Sequence, residues 1–222
     1  MKPTSSKGEQ AVLNWYKQKK WKPYAFQNEV MQAYLLGKSG LLNAPTGSGK
    51  TYAIWLPMLA EFLNKDKVST KSELQILWIT PLRALAHDIQ LAMQTACDEM
   101  GIAWQVACRT GDTSASQKQK QKTKPPQALV TTPESLQLLL AQRGYKEYLG
   151  TVKTIVIDEW HELLGGKRGV QVELAISRMK TLQPFLRVWG ISATIGNMLQ
   201  AKQVLLGSRF DEEDSEIGRA HV

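Results

Sequence analysis

The sequence has few cysteines and no long apolar run. Cys97 and Cys108 are its only cysteines among 222 residues. They give neither a disulfide framework nor the spacing of a metal site, so we expect two small buried apolar side chains. No apolar stretch approaches the length that crosses a bilayer, and the N-terminus MKPTSSKGEQ lacks the apolar core of a signal peptide. These absences predict a soluble protein of the reducing cytoplasm with no membrane partner.

The composition is typical of a globular domain with a positive charge excess. Hydrophobic residues make up 43% of the chain and charged residues 22%, and the formal net charge is +8. Such an excess suits a polyanionic partner, but it does not distinguish nucleic acid from general solubility. Lysines and aromatic residues alternate over residues 15–24. They form either a surface that binds phosphates and stacks bases, or an amphipathic helix with solvated lysines.

Apolar segments that suit buried strands alternate with segments of helical periodicity. The predicted strands are residues 40–42, 74–80, 104–108, 127–132, 154–158 and 186–192. The predicted helices are residues 9–20, 27–37, 50–63, 83–100, 133–142, 170–182 and 197–206. This alternation predicts an α/β fold with a parallel sheet covered by helices on both faces. Residues 111–126 predict an exposed basic loop that is either solvated or in contact with a nucleic-acid backbone.

The first candidate site is APTGSGKT, from Ala44 to Thr51, which matches the phosphate-loop pattern with alanine in place of its first glycine. Its glycines let successive N–H groups point at an anion, and the following helix adds the positive end of its dipole. Lys50 can reach the phosphates of ATP, and the Thr51 hydroxyl can ligate Mg²⁺. The alternative is a glycine-rich turn that opens a helix. The predicted nucleotide-binding residues here are Thr46, Gly47, Ser48, Gly49, Lys50 and Thr51.

The second candidate site is a pair of carboxylates that follows the apolar strand TIVI. Ligands of parallel sheets bind beyond the carboxyl ends of the strands, so this pair and the phosphate loop meet at one edge. Asp158 can hold the Mg²⁺ that Thr51 ligates, and Glu159 can act as general base toward water attacking the γ-phosphate. On their own, the two carboxylates could simply begin a loop and cap a helix.

These segments resemble the motifs of superfamily 2 helicases. APTGSGKT is similar to motif I and DEWH to a DExH box, and the other motifs follow in order. Gln27 resembles the adenine-reading Q motif, TPLRALA motif Ia, RTGDT the next nucleic-acid motif, TTPESL motif Ib and SAT motif III. DEWHELLGGKRGVQVELAISRMK and WGISATIGN resemble the Lhr (large helicase-related) family, especially its ligase-associated DExH-box branch. The resemblance covers nearly all of residues 20–207.

The resemblance implies a RecA-like P-loop NTPase domain, the first of two such lobes in an ATP-dependent helicase. The helicase would move 3′ to 5′ on single-stranded DNA in bacterial DNA repair, with repair proteins including a ligase as partners. Residues 1–24 are then an N-terminal extension, 25–209 the ATP-binding lobe, and 210–222 a non-native or truncated tail, because IGRAHV resembles translated sequencing adapter. We find no second lobe with its arginine finger, so we expect weak binding of ATP, Mg²⁺ and DNA and almost no turnover.

The motif context also assigns residues. At strand-to-helix turns, exposed amides and a guanidinium can hold a sugar-phosphate backbone. The predicted nucleic-acid-binding residues are Pro81, Arg83, Arg109, Thr132, Pro133 and Glu134. For Arg109, a plain turn around Gly111 is the alternative. His161 is a predicted catalytic residue that links Glu159 to Ser192 and Thr194 of motif III.

The remaining expectations concern neighbours of these motifs and rival functions. Trp160 is expected to pack rather than to take part in chemistry, and residues 167–169 are expected to form a loop that faces DNA. Three alternatives stay open from the residues: a lobe of an RNA helicase, an inert nucleic-acid-binding fragment, and a small-molecule phosphotransferase. The last does not explain the TPLRALA and TTPESL turns.

Overall fold

A computed structural model describes residues 5–65, 72–193 and 197–207, and within them six strands form one parallel sheet. The strands are β1 (Gly40–Asn43), β2 (Ile76–Ile79), β3 (Val106–Arg109), β4 (Ala128–Thr131), β5 (Thr154–Ile157) and β6 (Arg187–Ser192). Their order across the sheet is β1-β6-β5-β2-β4-β3. All six predicted strands and the predicted parallel α/β fold are confirmed.

Helices cover both faces of this sheet. Within the described ranges they are α1 (Lys7–Gln18), α2 (Ala25–Leu35), α3 (Lys50–Leu63), α4 (Arg83–Glu99), α5 (Ala115–Thr123), α6 (Pro133–Leu140), α7 (Tyr145–Leu149), α8 (Trp160–Leu163), α9 (Lys167–Leu182) and α10 (Met198–Leu206). Helices α1 to α4 pack on one face and α6 to α10 on the other. None of these helices is long and apolar enough to cross a membrane.

Each strand contributes to two apolar layers because its side chains alternate between the faces. In β2, Trp78 packs with the cluster under α1 to α4, whereas Leu77 and Ile79 pack with the cluster under α6 to α10. A strand buried on both faces has a continuous apolar run, which is why the parallel strands could be predicted from composition. Trp160 is also fully buried, and its Nε1 donates to the carbonyl of Ala201 at 3.0 Å. The predicted packing role of Trp160 is confirmed.

The segment of alternating lysines and aromatics is divided between core and surface. Trp15 and Tyr16 lie in α1 and are buried against the domain, so these two rings cannot stack on a base. Trp21 and Tyr24 follow the helix and are 50% and 59% exposed. Because α1 shares its hydrophobic cluster with α2 and α3, the boundary near residue 24 stays a prediction.

Two segments that were expected to be loops are helical. Residues 115–123 form α5, because Ser114 accepts a hydrogen bond from the amide of Gln117 while the Gln117 side chain accepts one from the amide of Ser114. Lysine and glutamine are also good helix formers, and Gln121 of α5 donates to the carbonyl of Cys108 in β3 at 2.9 Å, so the helix forms without any buried residue. Residues 167–169 are likewise the first turn of α9 rather than a loop before it.

The strand order places the candidate segments together at one edge. β6 lies between β1 and β5, with Asn43 level with Ser192 and Ile157 level with Gly190. Ser192 therefore ends its strand between the phosphate loop after β1 and the carboxylates after β5. The turns after β2, β4 and β3 continue along the same edge.

Candidate nucleotide and nucleic-acid sites

The phosphate loop has a fixed backbone that only glycine tolerates at two positions. Gly47 and Gly49 have φ angles of 79° and 80°, in the left-handed region that disfavours side chains. Ser48 fastens the loop: its amide and its hydroxyl donate to the carbonyl of Pro45, at 3.3 and 2.7 Å. Since α3 begins at Lys50, the unpaired amides of its first turn face the loop. This backbone can cradle an anion.

Lys50 is the group that most clearly requires a ligand. Its side chain is buried, and its ammonium has no hydrogen-bond partner among the described residues. The nearest carboxylate oxygen, Oε1 of Glu159, lies 3.8 Å away. A buried ammonium without hydrogen bonds is unfavourable, and a phosphate oxygen would satisfy it. Thr51 is half-buried on the next position of α3, whereas Thr46 is exposed on the loop.

Gln27 is already engaged in the fold. Its Nε2 donates to the carbonyl of Gly49 at 3.2 Å, and its Oε1 accepts from the amide of Tyr24 at 3.0 Å. The side chain therefore ties the start of α2 to the phosphate loop, and adenine recognition by Gln27 stays a prediction. Of the two nearby rings, Phe26 is buried and Tyr24 is exposed and stacked on it, with centroids 5.7 Å apart.

Asp158 and Glu159 follow β5 in an unusual backbone conformation. The Asp158 amide donates to the carbonyl of Ile79 at 2.7 Å, and its carboxylate accepts from the amide of Glu159 at 3.0 Å. Glu159 has φ 48°, which is strained for a residue with a side chain. Burial, and then the adjacent Glu159 charge, raise the pKa of Asp158 to about 6. A cation bound at this carboxylate would relieve both effects.

The oxygen donors at this edge fit Mg²⁺. The Thr51 hydroxyl and the Asp158 carboxylate are hard ligands of the kind that Mg²⁺ prefers, and Mg²⁺ commonly takes only one or two protein ligands beside substrate phosphates. The described ranges contain no cluster of three His, Cys, Asp or Glu side chains that could hold a metal alone.

His161 joins the carboxylate pair to the end of β6. Its Nδ1 lies 2.9 Å from the Ser192 hydroxyl and 3.4 Å from Oε2 of Glu159. The structure thus brings together three of the residues for which a link was predicted. Thr194, the fourth, lies outside the described residues. The catalytic roles of Glu159 and His161 stay predictions.

The turns after β2 and β4 bury three of the residues that were predicted to bind nucleic acid. Pro81, Thr132 and Pro133 are buried, and the Thr132 hydroxyl caps α6 by accepting from the amide of Ser135 at 3.4 Å. Arg83, the first residue of α4, is exposed and lies 3.4 Å from Asp112. The first-turn amides of α4 have no partner within the helix, so a backbone phosphate could bind there. In α6, Pro133 has no N–H and the Ser135 amide is already bonded to Thr132.

The structure does not favour the predicted contacts of Arg109 and Glu134. Only 3% of Arg109 is exposed, and its guanidinium donates to the carbonyl of Lys118 at 3.4 Å, because α5 covers the last strand of the sheet. Oε1 of Glu134 instead accepts from Nε of Arg168 at 2.6 Å. The resemblance predicts that Arg168, at the start of α9, faces DNA. Its ion pair with Glu134 has no counterpart in that prediction.

Comparisons with known proteins agree with this geometry. The sequence model of the DEAD/DEAH box helicase family matches residues 24–201. The chain is 35% identical over 218 residues to the ATP-dependent helicase Lhr-Core of Methanocaldococcus jannaschii, covering 91% of this chain and 25% of the relative. It is 33% identical to the Lhr helicase/uracil glycosylase of Escherichia coli, covering 90% of this chain and 14% of the relative. The chain therefore spans at most a quarter of either relative.

A solved structure is similar over almost the whole chain. The structure of Mycobacterium smegmatis helicase Lhr bound to ssDNA and AMP-PNP superposes with a TM-score of 0.82 at 28% identity. The match covers 96% of this chain and 27% of that protein. The sequence resemblance to the DExH-box and Lhr helicases and the RecA-like fold are confirmed.

Proposed function

The chain belongs to the DEAD/DEAH box helicase family, and we propose that it is the first ATP-binding lobe of an Lhr-type DNA helicase. In this proposal the parent protein moves 3′ to 5′ on single-stranded DNA during repair, with repair proteins including a ligase as partners. The observation that supports ATP binding is the buried Lys50 ammonium, which has no hydrogen-bond partner among the described residues. Lys50 directly follows the phosphate loop.

In the proposed nucleotide complex each residue of the edge has one task. The loop amides and Lys50 hold the β- and γ-phosphates. Thr51 and Asp158 hold Mg²⁺, which when bound neutralises charge that develops on those phosphates. Glu159 accepts a proton from the attacking water. Nδ1 of His161 lies between the two groups, 2.9 Å from the Ser192 hydroxyl and 3.4 Å from Oε2 of Glu159.

We infer that this chain binds nucleotide without rapid hydrolysis. Phosphoryl transfer in this class uses an arginine finger that stabilises transition-state charge and has a large effect on rate. The residues assigned above supply the phosphate, metal and water contacts but no such arginine. Vigorous DNA-stimulated hydrolysis by the 222-residue chain, lost in Lys50→Ala, would contradict this inference.

Nucleotide affinity tests the ATP part of the proposal. Binding of a fluorescent ATP analogue with Mg²⁺ is measured for the wild type and for Lys50→Ala. Loss of a buried, charge-assisted phosphate contact should weaken binding by about 100-fold. Lys17→Ala, which removes an exposed lysine of α1, is the matched control and should bind as the wild type does. Equal affinity of Lys50→Ala and wild type would refute an ATP site here.

The choice of DNA rests on the relatives and needs its own test. The similar Lhr structure is bound to ssDNA, and the first-turn amides of α4 would contact a backbone without reading bases. Displacement of a fluorescent oligothymidylate by unlabelled DNA and RNA strands of equal length compares the two polymers. Tighter binding of the RNA competitor would replace the DNA proposal by an RNA helicase lobe.

A further inference from the structure

Arg168 connects three separate segments at the carboxyl edge of the sheet. Its Nε donates to Oε1 of Glu134 at 2.6 Å, in the first turn of α6 after β4. Its Nη1 donates to the carbonyl of Pro81 at 3.3 Å, in the turn after β2. Arg168 itself lies in the first turn of α9, which is reached from β5 through the carboxylate pair and α8. One guanidinium therefore holds the turns of motifs Ia and Ib to the segment that follows the DExH box.

The pairing also explains an acidic residue on a surface that should attract phosphates. Burial alone would raise the pKa of Glu134, but hydrogen bonds from its own amide and from Thr132, together with the Arg168 hydrogen bond and charge, hold that pKa below its ordinary value. Glu134 is therefore ionised at neutral pH. A free carboxylate here would repel a nucleic-acid backbone, whereas one paired with Arg168 does not present a net negative charge.

The segment between the ATP site and Arg168 is short and closely packed. The amide of Gly166 donates to the carbonyl of Leu163, the last residue of α8, at 3.2 Å. A Cβ added to Gly169 would lie 2.1 Å from that same carbonyl oxygen, so the start of α9 is in direct contact with the end of α8. Trp160 anchors α8 in the core through its hydrogen bond to Ala201. These contacts connect the segment that follows Asp158 and Glu159 to the start of α9, where Arg168 lies.

We propose that Arg168 is a positioning residue that, through its contacts with Glu134 and Pro81, holds the two nucleic-acid turns in place relative to the ATP-site loop. The inference rests on the proposed function, because it assumes that these turns bind a single strand. Arg168 acts through Glu134 and Pro81 and needs no phosphate contact of its own.

The sign of one substitution separates positioning from simple charge attraction. Glu134→Gln removes a negative charge from a surface that binds a polyanion, so charge alone predicts tighter binding of an oligothymidylate. If the carboxylate positions the turn through Arg168, Glu134→Gln should instead weaken binding, by about threefold, as for loss of an exposed ion pair. Binding is followed by fluorescence anisotropy of the full 222-residue chain at low salt. Glu147→Gln, which removes the same charge from the exposed surface of α7, is the matched control.

A double-mutant cycle completes the test. Glu134→Gln, Arg168→Gln and the double variant are compared, and a shared positioning role predicts that the double variant binds no more weakly than Arg168→Gln alone. Unaltered nucleotide affinity and melting temperature in all three variants would show that they fold. Unchanged or tighter binding by Glu134→Gln, or additive losses in the cycle, would overturn the inference while leaving the proposed function intact. Failure of the wild type to bind the strand would remove both this inference and the nucleic-acid part of the proposed function, but not the Lys50 result.

Discussion

The nucleotide side and the nucleic-acid side of the sheet edge are built on opposite principles. On the nucleotide side Lys50 and Asp158 are 8% and 7% exposed, and the lysine lacks a hydrogen-bond partner among the described residues. On the nucleic-acid side the Arg83 and Asp112 side chains are 60% and 74% exposed and paired with each other. Buried charge is unfavourable without a partner, so a bound ligand would lower the free energy of the nucleotide side. On the nucleic-acid side, the charges of Arg83 and Asp112 are already paired and exposed to solvent, so they need no ligand.

This difference predicts how each region responds to change. A group that is buried and unsatisfied depends on one ligand, so a single substitution should have a large effect. Exposed ion pairs contribute between 0 and about 1 kcal/mol each, so binding of a nucleic acid must come from the sum of many backbone contacts. Helices α8 and α9 lie between the two regions, and they are the place where a local change should affect both.

The largest effect is expected where the two regions join. Gly169→Ala places a Cβ 2.1 Å from the carbonyl oxygen of Leu163, which forces α8 and α9 apart and should lower the free energy of unfolding by about 3 kcal/mol. Gly166→Ala is the control, because its Cβ would lie 3.6 Å from the same oxygen, an ordinary contact. Urea denaturation of both variants measures the difference. Equal stability would mean that the α8–α9 contact is not tight.

The second effect concerns the free energy of unfolding, which the buried carboxylate of Asp158 lowers. The raised pKa of Asp158, about 6 and so above the ordinary value of an aspartate, means that the folded state holds this proton more tightly than the unfolded state does. The ionised carboxylate therefore destabilises the fold above pH about 6, and this cost disappears as pH falls through the window down to the unfolded value. Asp158→Asn should stabilise the metal-free protein by an amount on the order of 2 kcal/mol at high pH.

The control for Asp158→Asn is the same pair of proteins at lower pH. Urea denaturation with a chelator present should show the advantage of the variant at about pH 8 and little of it at about pH 4. A pH-independent advantage would point to packing rather than to ionisation. At the same time the variant should bind the ATP analogue more weakly with Mg²⁺, which is the expected exchange of stability for function.

The third effect contrasts the two sites in salt. Neutralising about three phosphates of a single strand gives a log–log salt slope near −2, so a rise in salt of about threefold should weaken DNA binding by about tenfold. The nucleotide site is more buried and its charge contacts are screened less. Parallel titrations of the oligothymidylate and the ATP analogue over the same salt range test this contrast. If the nucleotide affinity falls as steeply with salt as the DNA affinity does, the predicted contrast between the two sites is wrong.

Local patterns were sufficient to predict much of the fold and the backbone conformation of the candidate nucleotide site. Parallel strands are buried on both faces and so appear as apolar runs, and the spacing of Gly47, Gly49 and Lys50 follows from how a backbone must curl around a phosphate. The burial of Arg109 could not be predicted, because it depends on α5 lying over β3. The α5 helix itself had a local signal, the Ser114 and Gln117 capping box, which the lysine-rich composition obscured.

Contacts between distant segments could not be predicted from the sequence either, because they also depend on how separate elements pack. Glu134 and Arg168 are separated by 34 positions, and only the order of β4, β2 and β5 in the sheet places their helices side by side. The left-handed conformation of Glu159 also has no local signature, since glutamate does not favour it. A site formed by one turn can be predicted from the sequence of that turn. A contact between two turns can be predicted only when the order of the strands in the sheet is known.

The smallest predicted effect distinguishes the two ion pairs of the nucleic-acid side. Asp112 pairs with Arg83 at 3.4 Å, and both side chains are mostly exposed. Asp112→Asn should therefore leave Arg83 freer to meet a phosphate and tighten oligothymidylate binding by at most about twofold. Glu134→Gln is expected to change affinity in the opposite direction. The same anisotropy titration measures both, and weakening by Asp112→Asn would mean that Arg83 also needs its carboxylate partner for orientation, so the two pairs would act alike.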